Sequence, residues 1–246
     1  MFFGSVNSYL ELILYILFLL ALVIAAIAQL KVSLTFRRYS RVRVSAGKTA
    51  AEVAREILDE NGITDVRIER IGGNLTDHFD PRDGALRLSD EVYDSDSAAA
   101  IGVAAHEAGH AIQHAKGYLP IIIRSKLVPI TNIASHLSWI FVLIGVLIMG
   151  LAEFAYEFSN FGYIVALIGV GLFSVTTLFQ LVTLPCEFDA SHRAMQTLRS
   201  SGEFSSQELR ASRKVLSAAA MTYVAALLVS IIQLLRIFAM VKRDRR

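Results

Sequence analysis

Two histidines and a glutamate lie within five consecutive residues of this chain, His106-Glu107-Ala108-Gly109-His110. In a helix, positions i and i+4 share one face about 5–6 Å apart, so His106 and His110 can direct imidazole nitrogens at one metal ion. Glu107 is too close in sequence to ligate comfortably, but it is well placed to take a proton from a metal-bound water. The pattern predicts one Zn²⁺ per chain and a hydrolysis in which activated water attacks a carbonyl group, with Glu107 as general base.

A catalytic zinc site keeps three protein ligands and one open position, so a third ligand is required. One extended form of the motif places a third histidine ten residues after His106, but that position is Lys116. The remaining candidates are carboxylates, and Glu187 and Asp189 directly follow a long uncharged stretch. On the residues alone both stay open, as does a plain interfacial charge that caps a helix.

The motif needs a helix to present it. Asp94-Ser95-Asp96 predicts the start of a helix that continues through His114 and stops at Gly117. Small residues surround the histidines and would let another element approach this helix closely. They are Ala104, Ala105, Ala108, Gly109 and Ala111.

A small folded domain is predicted around that helix. Thr49-Ala50-Ala51-Glu52 has the pattern of a capping box, and the helix that it starts should run from Ala50 to about Glu60 and stop at Asn61-Gly62. Apolar and charged residues alternate from Val66 to Ile71 and again from Ala85 to Leu88, with turn residues between them. These segments predict a small sheet.

The composition points to a membrane. Hydrophobic residues make up 54% of the 246 residues and the mean hydropathy is +0.50, which exceeds what a soluble domain carries. A spanning helix needs about 20 mostly apolar residues. Four stretches without Asp, Glu, Lys or Arg meet or approach that length: Leu12 to Leu30, Leu127 to Ala152, Phe158 to Cys186, and Val215 to Leu235.

Basic residues predict the orientation, because they tend to stay on the cytoplasmic side of spans. They cluster after the first stretch and between the last two, which places the N-terminus outside and residues 31–130 and 187–214 inside. Four spans would send the basic tail from Lys242 to Arg246 outward, so either the last helix does not fully cross or the upstream clusters overrule the tail. The first stretch could instead be a signal peptide, but its basic residues follow the apolar run, which is the wrong order.

With these residues in place, the chain resembles the YugP-type neutral zinc metallopeptidases of bacteria. The segments that carry the resemblance span nearly the whole sequence: Glu52 to Arg55, Leu75 to Pro81, the histidine motif with Ala111-Ile112-Gln113, Gly117 to Pro120, Leu181 to Pro185, and Leu216 to Leu235. More distantly it is similar to the HtpX-like membrane proteases, in which a Glu-x-x-Ala-Asp segment supplies the third zinc ligand. That resemblance implies Glu187 as the ligand rather than Asp189, and Ser191 stands where the distant relatives have aspartate.

The predicted fold class is a mainly α membrane protein with about four transmembrane helices and a small α+β, zincin-like cytoplasmic domain. The predicted segments are 1–30 as the first span, 31–130 as the zincin-like domain, 131–186 as the second and third spans, 187–214 as the segment with the third ligand, 215–240 as the fourth span, and 241–246 as a basic tail.

The predicted function is that of a multi-pass metalloendopeptidase of the bacterial cell membrane, active on the cytoplasmic side. We expect protein or hydrophobic peptide substrates, contact with the lipid bilayer and no nucleic acid. His78 and His192 are candidates to stabilise the oxyanion of the transition state. We expect His114 to lie on the surface or next to a metal ligand, and Cys186 to pack as a small apolar residue.

Two other functions compete with this one. An intramembrane protease of the site-2 type would bury its motif in a span, but the motif helix is too polar to face lipid, and the Asp-Gly motif of that class is missing. A catalytically inactive zinc-binding scaffold or chaperone would not need Glu107.

Overall fold

The computed structural model describes residues 2–151 and 156–243, with side chains from 9 to 151 and from 159 to 242. The end of the second predicted span at Ala152 and the tail beyond Arg243 lie outside the described residues. These described residues form seven helices and three strands, in the order α1 (Phe2–Tyr39), α2 (Ala50–Glu60), β1 (Arg67–Ile71), β2 (His78–Asp80), β3 (Ala85–Ser89), α3 (Asp90–Tyr93), α4 (Ala98–Ala115), α5 (Leu119–Gly150), α6 (Tyr156–Ser200) and α7 (Ser206–Arg243).

Four of these helices, α1, α5, α6 and α7, are long and apolar enough to cross a membrane. Three of them contain a predicted uncharged stretch in full, and α5 covers the second stretch as far as Gly150, so the prediction of four long apolar helices is confirmed. Large apolar side chains cover their outer faces; Ile27, Ile133 and Leu143 are each about 60% exposed, at 59%, 64% and 61%. Such surfaces are stable next to lipid and not next to water.

The chain divides into two compact units, and all four long helices contribute to both. One unit comprises Met1–Ala26, Arg124–Val182 and Val224–Arg246. Within it, α5 and α6 approach closely at glycines: a Cβ on Gly145 would lie 2.4 Å from the amide nitrogen of Ala166, and one on Gly169 would lie 2.6 Å from that of Val142. Small residues at a helix contact are the usual way in which membrane helices pack.

The other unit comprises Ile27–Ile123 and Thr183–Tyr223 and contains the sheet. The strand order is β1-β3-β2, with β3 parallel to β1 and antiparallel to β2. Leu86 and Leu88 of the central strand are fully buried against α2 and α4. The predicted sheet is confirmed, although β2 lies where we expected only a loop around His78.

The predicted capping box is confirmed, and a second cap lies elsewhere than predicted. Thr49 and Glu52 exchange the two hydrogen bonds of a capping box at the start of α2, and Gly62 follows that helix with a φ of +71°. The motif helix α4, however, is capped by Ser97, whose hydroxyl accepts from the amide of Ala100, and not by Asp94 to Asp96. A separate short helix, α3, occupies Asp90–Tyr93, so the chain must turn before α4 begins.

Backbone hydrogen bonds fix the start of α4. The segment after α1 forms an isolated bridge between Arg43 and Ser97, with the amide of Val44 donating to the carbonyl of Asp96 (2.9 Å) and that of Ala98 to Val42 (2.8 Å). The segment that follows α1 therefore fixes the N-terminal end of α4, the helix that carries the motif.

Candidate metal centre

Three side chains converge at the middle of α4. Nε2 of His106 lies 3.1 Å from Oε2 of Glu187, and Nε2 of His110 lies 3.6 Å from Oε1 of the same carboxylate. One ligand atom from each of the three residues lies within 4.8 Å of the other two. Two imidazoles and a carboxylate, nearly excluded from solvent, form the donor set of a catalytic zinc site, so the residues present fit this ion.

Residue spacing and a close helix contact bring these donors together. His106 and His110 are one turn apart on α4, and the centroids of their rings are 4.7 Å apart. Glu187 arrives on α6, which crosses α4 at Gly109; a Cβ there would lie 2.7 Å from the carbonyl oxygen of Ala190. Glycine at position 109 is therefore what allows α6 to bring its carboxylate within reach of both histidines.

A fixed hydrogen-bond network determines the tautomer of His110. Gln113 Nε2 donates to the carbonyl oxygen of Cys186 (2.7 Å) and to Oδ2 of Asp189 (2.8 Å). Because a carbonyl and a carboxylate only accept, the amide oxygen of Gln113 must face His110, where it lies 3.0 Å from Nδ1. His110 therefore carries its proton on Nδ1, and the lone pair of Nε2 is directed toward Glu187 and the metal position.

His106 has a comparable partner in Ser191, whose Oγ lies 3.1 Å from Nδ1. Ser191, which stands where the HtpX-like proteases have aspartate, thus contacts the candidate ligand His106 through its hydroxyl. Outer partners of this kind orient metal-bound histidines and raise their basicity. Asp189 belongs to the same outer layer, because it also accepts from Arg193 Nε at 2.6 Å.

Glu107 lies beside the three donors and is largely buried, with 8% of its surface exposed. Its Oε2 accepts a hydrogen bond of 3.1 Å from the backbone amide of Phe79 in the edge strand β2. The ring of Phe79 contacts His114 at 6.0 Å between centroids, so β2 lies along α4. This strand holds the carboxylate in place next to the metal position.

A cavity of about 270 Å³ adjoins His106 and Glu107. Its wall is mostly apolar and comes from α1, α4 and α7, with Phe36, Val103 and Leu216 among its residues. Asp77 is an acidic member of this wall, and burial raises the pKa of its carboxyl above the ordinary value. The amide and hydroxyl of Ser89 donate to it at 2.7 and 3.1 Å.

The other predicted residues lie around this centre rather than in it. The ring nitrogen Nδ1 of His78 lies 2.8 Å from the carbonyl oxygen of Thr76, and His192 is exposed in a groove on α6. His114 is exposed, and Cys186 is fully buried. Whether His78 or His192 reaches a substrate stays a prediction.

Sequence reasoning missed two contacts of the centre. Gln113 is three residues after His110 and therefore on the same helix face, which could have revealed it. No pattern in the sequence indicates the contact of the Phe79 amide, because that contact depends on where a three-residue strand lies.

Comparisons with known proteins place the chain in a family of zinc peptidases. A family model described as "Putative neutral zinc metallopeptidase" matches residues 14–242. A protein of Bacillus subtilis (strain 168) with the name "Putative membrane protease YugP" is 47% identical over 211 residues, which cover 85% of this chain and 88% of that protein. No solved structure gives a significant match.

Proposed function

Since the chain belongs to this neutral zinc metallopeptidase family, we propose that it is a membrane-bound zinc endopeptidase that hydrolyses peptide bonds. The observation that carries the proposal is the convergence of His106, His110 and Glu187, with Glu107 next to His106 in α4 and in the wall of the same cavity. His106 and His110 would hold the ion through Nε2, and Glu187 through its carboxylate.

The chain's own residues perform the proton transfers in this proposal. The chemistry that zinc supplies when bound is to lower the pKa of water to about 7 and to polarise the scissile carbonyl. Glu107 accepts the proton of the attacking water at its carboxylate and then donates it to the leaving amine. The amide of Phe79 keeps this carboxylate oriented throughout.

Two features support apolar peptide substrates at a membrane. The cavity beside Glu107 is lined mainly by apolar side chains, and its volume would accommodate a large apolar side chain of a substrate. Glu187 also directly follows the uncharged stretch of α6, so the site lies near the end of the apolar part of that helix. We therefore propose membrane proteins or hydrophobic peptides as substrates, in a multi-pass protein of the bacterial membrane with its site on the cytoplasmic side.

The test is Glu107→Gln in the purified full-length protein. We expect zinc content to stay close to that of the wild type, because Glu107 does not hold the ion, while cleavage of an unfolded protein or hydrophobic peptide falls by about 10²–10⁴-fold. Zinc content is measured by atomic emission and cleavage by mass spectrometry of the products. Equal cleavage by both proteins would refute the mechanism, and absence of any cleavage by the wild type would favour a zinc-binding scaffold.

A further inference from the structure

A second cavity, which we call the basic groove, lies on the other side of Ser191 from the metal centre. Its volume is about 850 Å³, and α1, α6 and α7 form its walls. The groove is lined by basic residues from all three helices: Lys31, Arg38, Arg199, Arg213 and Lys214. His192 lies in the same wall, and no Asp or Glu lines it.

The described part of the chain forms no ion pair with these residues. Among the described residues, none of the five forms an ion pair with a carboxylate, although Lys48, Arg55 and Arg87 of the same unit do. Arg38 and Lys214 lie over the ring of Tyr39, at 5.7 and 5.8 Å from its centroid. Unpaired cations that converge on one concavity attract an anion from outside the chain.

The groove lies where each helix changes from apolar to charged. Lys31 directly follows the first uncharged stretch, and Lys214 directly precedes the last one. Beside these cations, Phe188 and Met221 are 48% and 46% exposed within the groove. The groove therefore offers charge and exposed apolar surface together, at the level expected for the headgroups of a bilayer.

We propose that the basic groove binds the headgroup of an anionic phospholipid, with the phosphodiester among the arginines and lysines and the acyl chains along Phe188 and Met221. A soluble anion would use the cations alone and would leave these two side chains exposed to water. The bound lipid would also lie next to Ser191, whose hydroxyl contacts the candidate ligand His106.

The experiment measures lipid binding without reference to peptidase activity. The full chain, purified in a neutral detergent, is titrated with phosphatidylglycerol or phosphatidylcholine, and bound lipid is counted by native mass spectrometry. A groove variant carries Arg199→Gln, Arg213→Gln and Lys214→Gln. A control variant loses three exposed charges outside the groove through Arg37→Gln, Arg41→Gln and Arg210→Gln, and zinc content reports that each variant is folded.

We expect the wild type and the control variant to bind phosphatidylglycerol in preference to phosphatidylcholine, and the groove variant to bind phosphatidylglycerol about tenfold more weakly. An equal loss in both variants would mean that overall charge attracts the lipid, which would overturn the proposal. An unchanged affinity of the groove variant for phosphatidylglycerol would also overturn the proposal. Inorganic phosphate and an aspartate-rich peptide serve as competitors; displacement of the lipid by either at equal concentration would assign the groove to a soluble anion or an acidic peptide instead.

Discussion

At the scale of residues, the central question is which carboxylate completes the metal centre. Glu187 Oε2 and Oε1 face the two histidines, whereas Asp189 faces Gln113 and Arg193. Glu187→Ala should therefore lower zinc content and the unfolding temperature of the detergent-purified protein, because metal binding is coupled to folding. Asp189→Asn should change both only slightly, since an amide oxygen can still accept from Gln113.

These two variants serve as controls for each other, as they lie on the same helix two positions apart. Metal content and unfolding temperature would be measured by atomic emission and by thermal fluorescence. Zinc retained in Glu187→Ala but lost in Asp189→Asn would reverse the ligand assignment, while the assignment to the enzyme family would stand.

Gln113 gives a second prediction at this scale. Gln113→Leu removes the acceptor that holds the proton of His110 on Nδ1 and the hydrogen bond from Gln113 to the Cys186 carbonyl. Loss of such an outer partner typically weakens metal binding about 10–100-fold. Competition with a chelator measures this affinity, and Gln196→Leu, at an exposed position of α6, is the matched control. Equal affinities in the two variants would exclude a positioning role for Gln113.

How much of the centre could be predicted differs from residue to residue. His106 and His110 follow from the helical spacing alone, whereas the choice of Glu187 over Asp189 needed a resemblance, because sequence does not say which of two neighbouring carboxylates faces inward. The hydroxyl of Ser191 and the amide of Phe79 depend on the packing of α6 and β2 against α4. No periodicity in the sequence encodes that packing.

At the scale of elements, the crossing of α4 and α6 is the contact on which the centre depends. A Cβ on Gly109 would overlap the carbonyl oxygen of Ala190, and a backbone atom cannot move aside without shifting its helix. Gly109→Ala should therefore cost about 1–3 kcal/mol of stability and reduce zinc affinity, although alanine favours a helix.

Gly171→Ala is the control for this prediction. It also lies in a long helix, but nothing lies within 4 Å of the added Cβ. This substitution should leave zinc binding unchanged and raise stability by up to about 1 kcal/mol through helix propensity. Similar zinc affinities in both variants would show that the α4–α6 contact is not needed to place Glu187.

The elements themselves were predicted unevenly. The capping box at Thr49 is a local pattern, and the structure has it as expected. The start of α4 was misplaced because Asp94, Ser95, Asp96 and Ser97 are all good capping residues, and the bridge from Arg43 to Ser97 decides among them. Strand β2 has only three residues, too few to show an alternation.

At the scale of the whole molecule, the orientation in the membrane is the main prediction. The basic residues that follow the first uncharged stretch, and those between the last two stretches, predict that Ser40 and Ser201 are in the cytoplasm, and both residues are exposed. In a Cys186→Ser background, cysteines at these two positions should resist an impermeant thiol reagent in intact cells. Asn160→Cys, exposed near the opposite end of α6, should react. Labelling at Ser40→Cys or Ser201→Cys would invert or break this topology.

The end of α7 bears on the conflict over the basic tail. The guanidinium of Arg236 lies 4.6 Å from the ring centroid of Phe18 and 5.7 Å from that of Tyr15, both in the N-terminal half of α1. Such cation–π contacts hold Arg236 beside the first turns of the uncharged stretch of α1, which begins at Leu12. This supports a last helix that crosses fully.

The division of the metal centre between two helices has a consequence for biosynthesis. His106 and Glu187 are 81 positions apart, and the apolar stretches of α5 and α6 are synthesised between them. At the usual speed of a ribosome, roughly ten seconds separate the emergence of the two residues. A centre that needs Glu187 cannot form until both stretches have been synthesised. The nascent chain therefore carries both histidines for several seconds before the carboxylate that completes their metal centre exists.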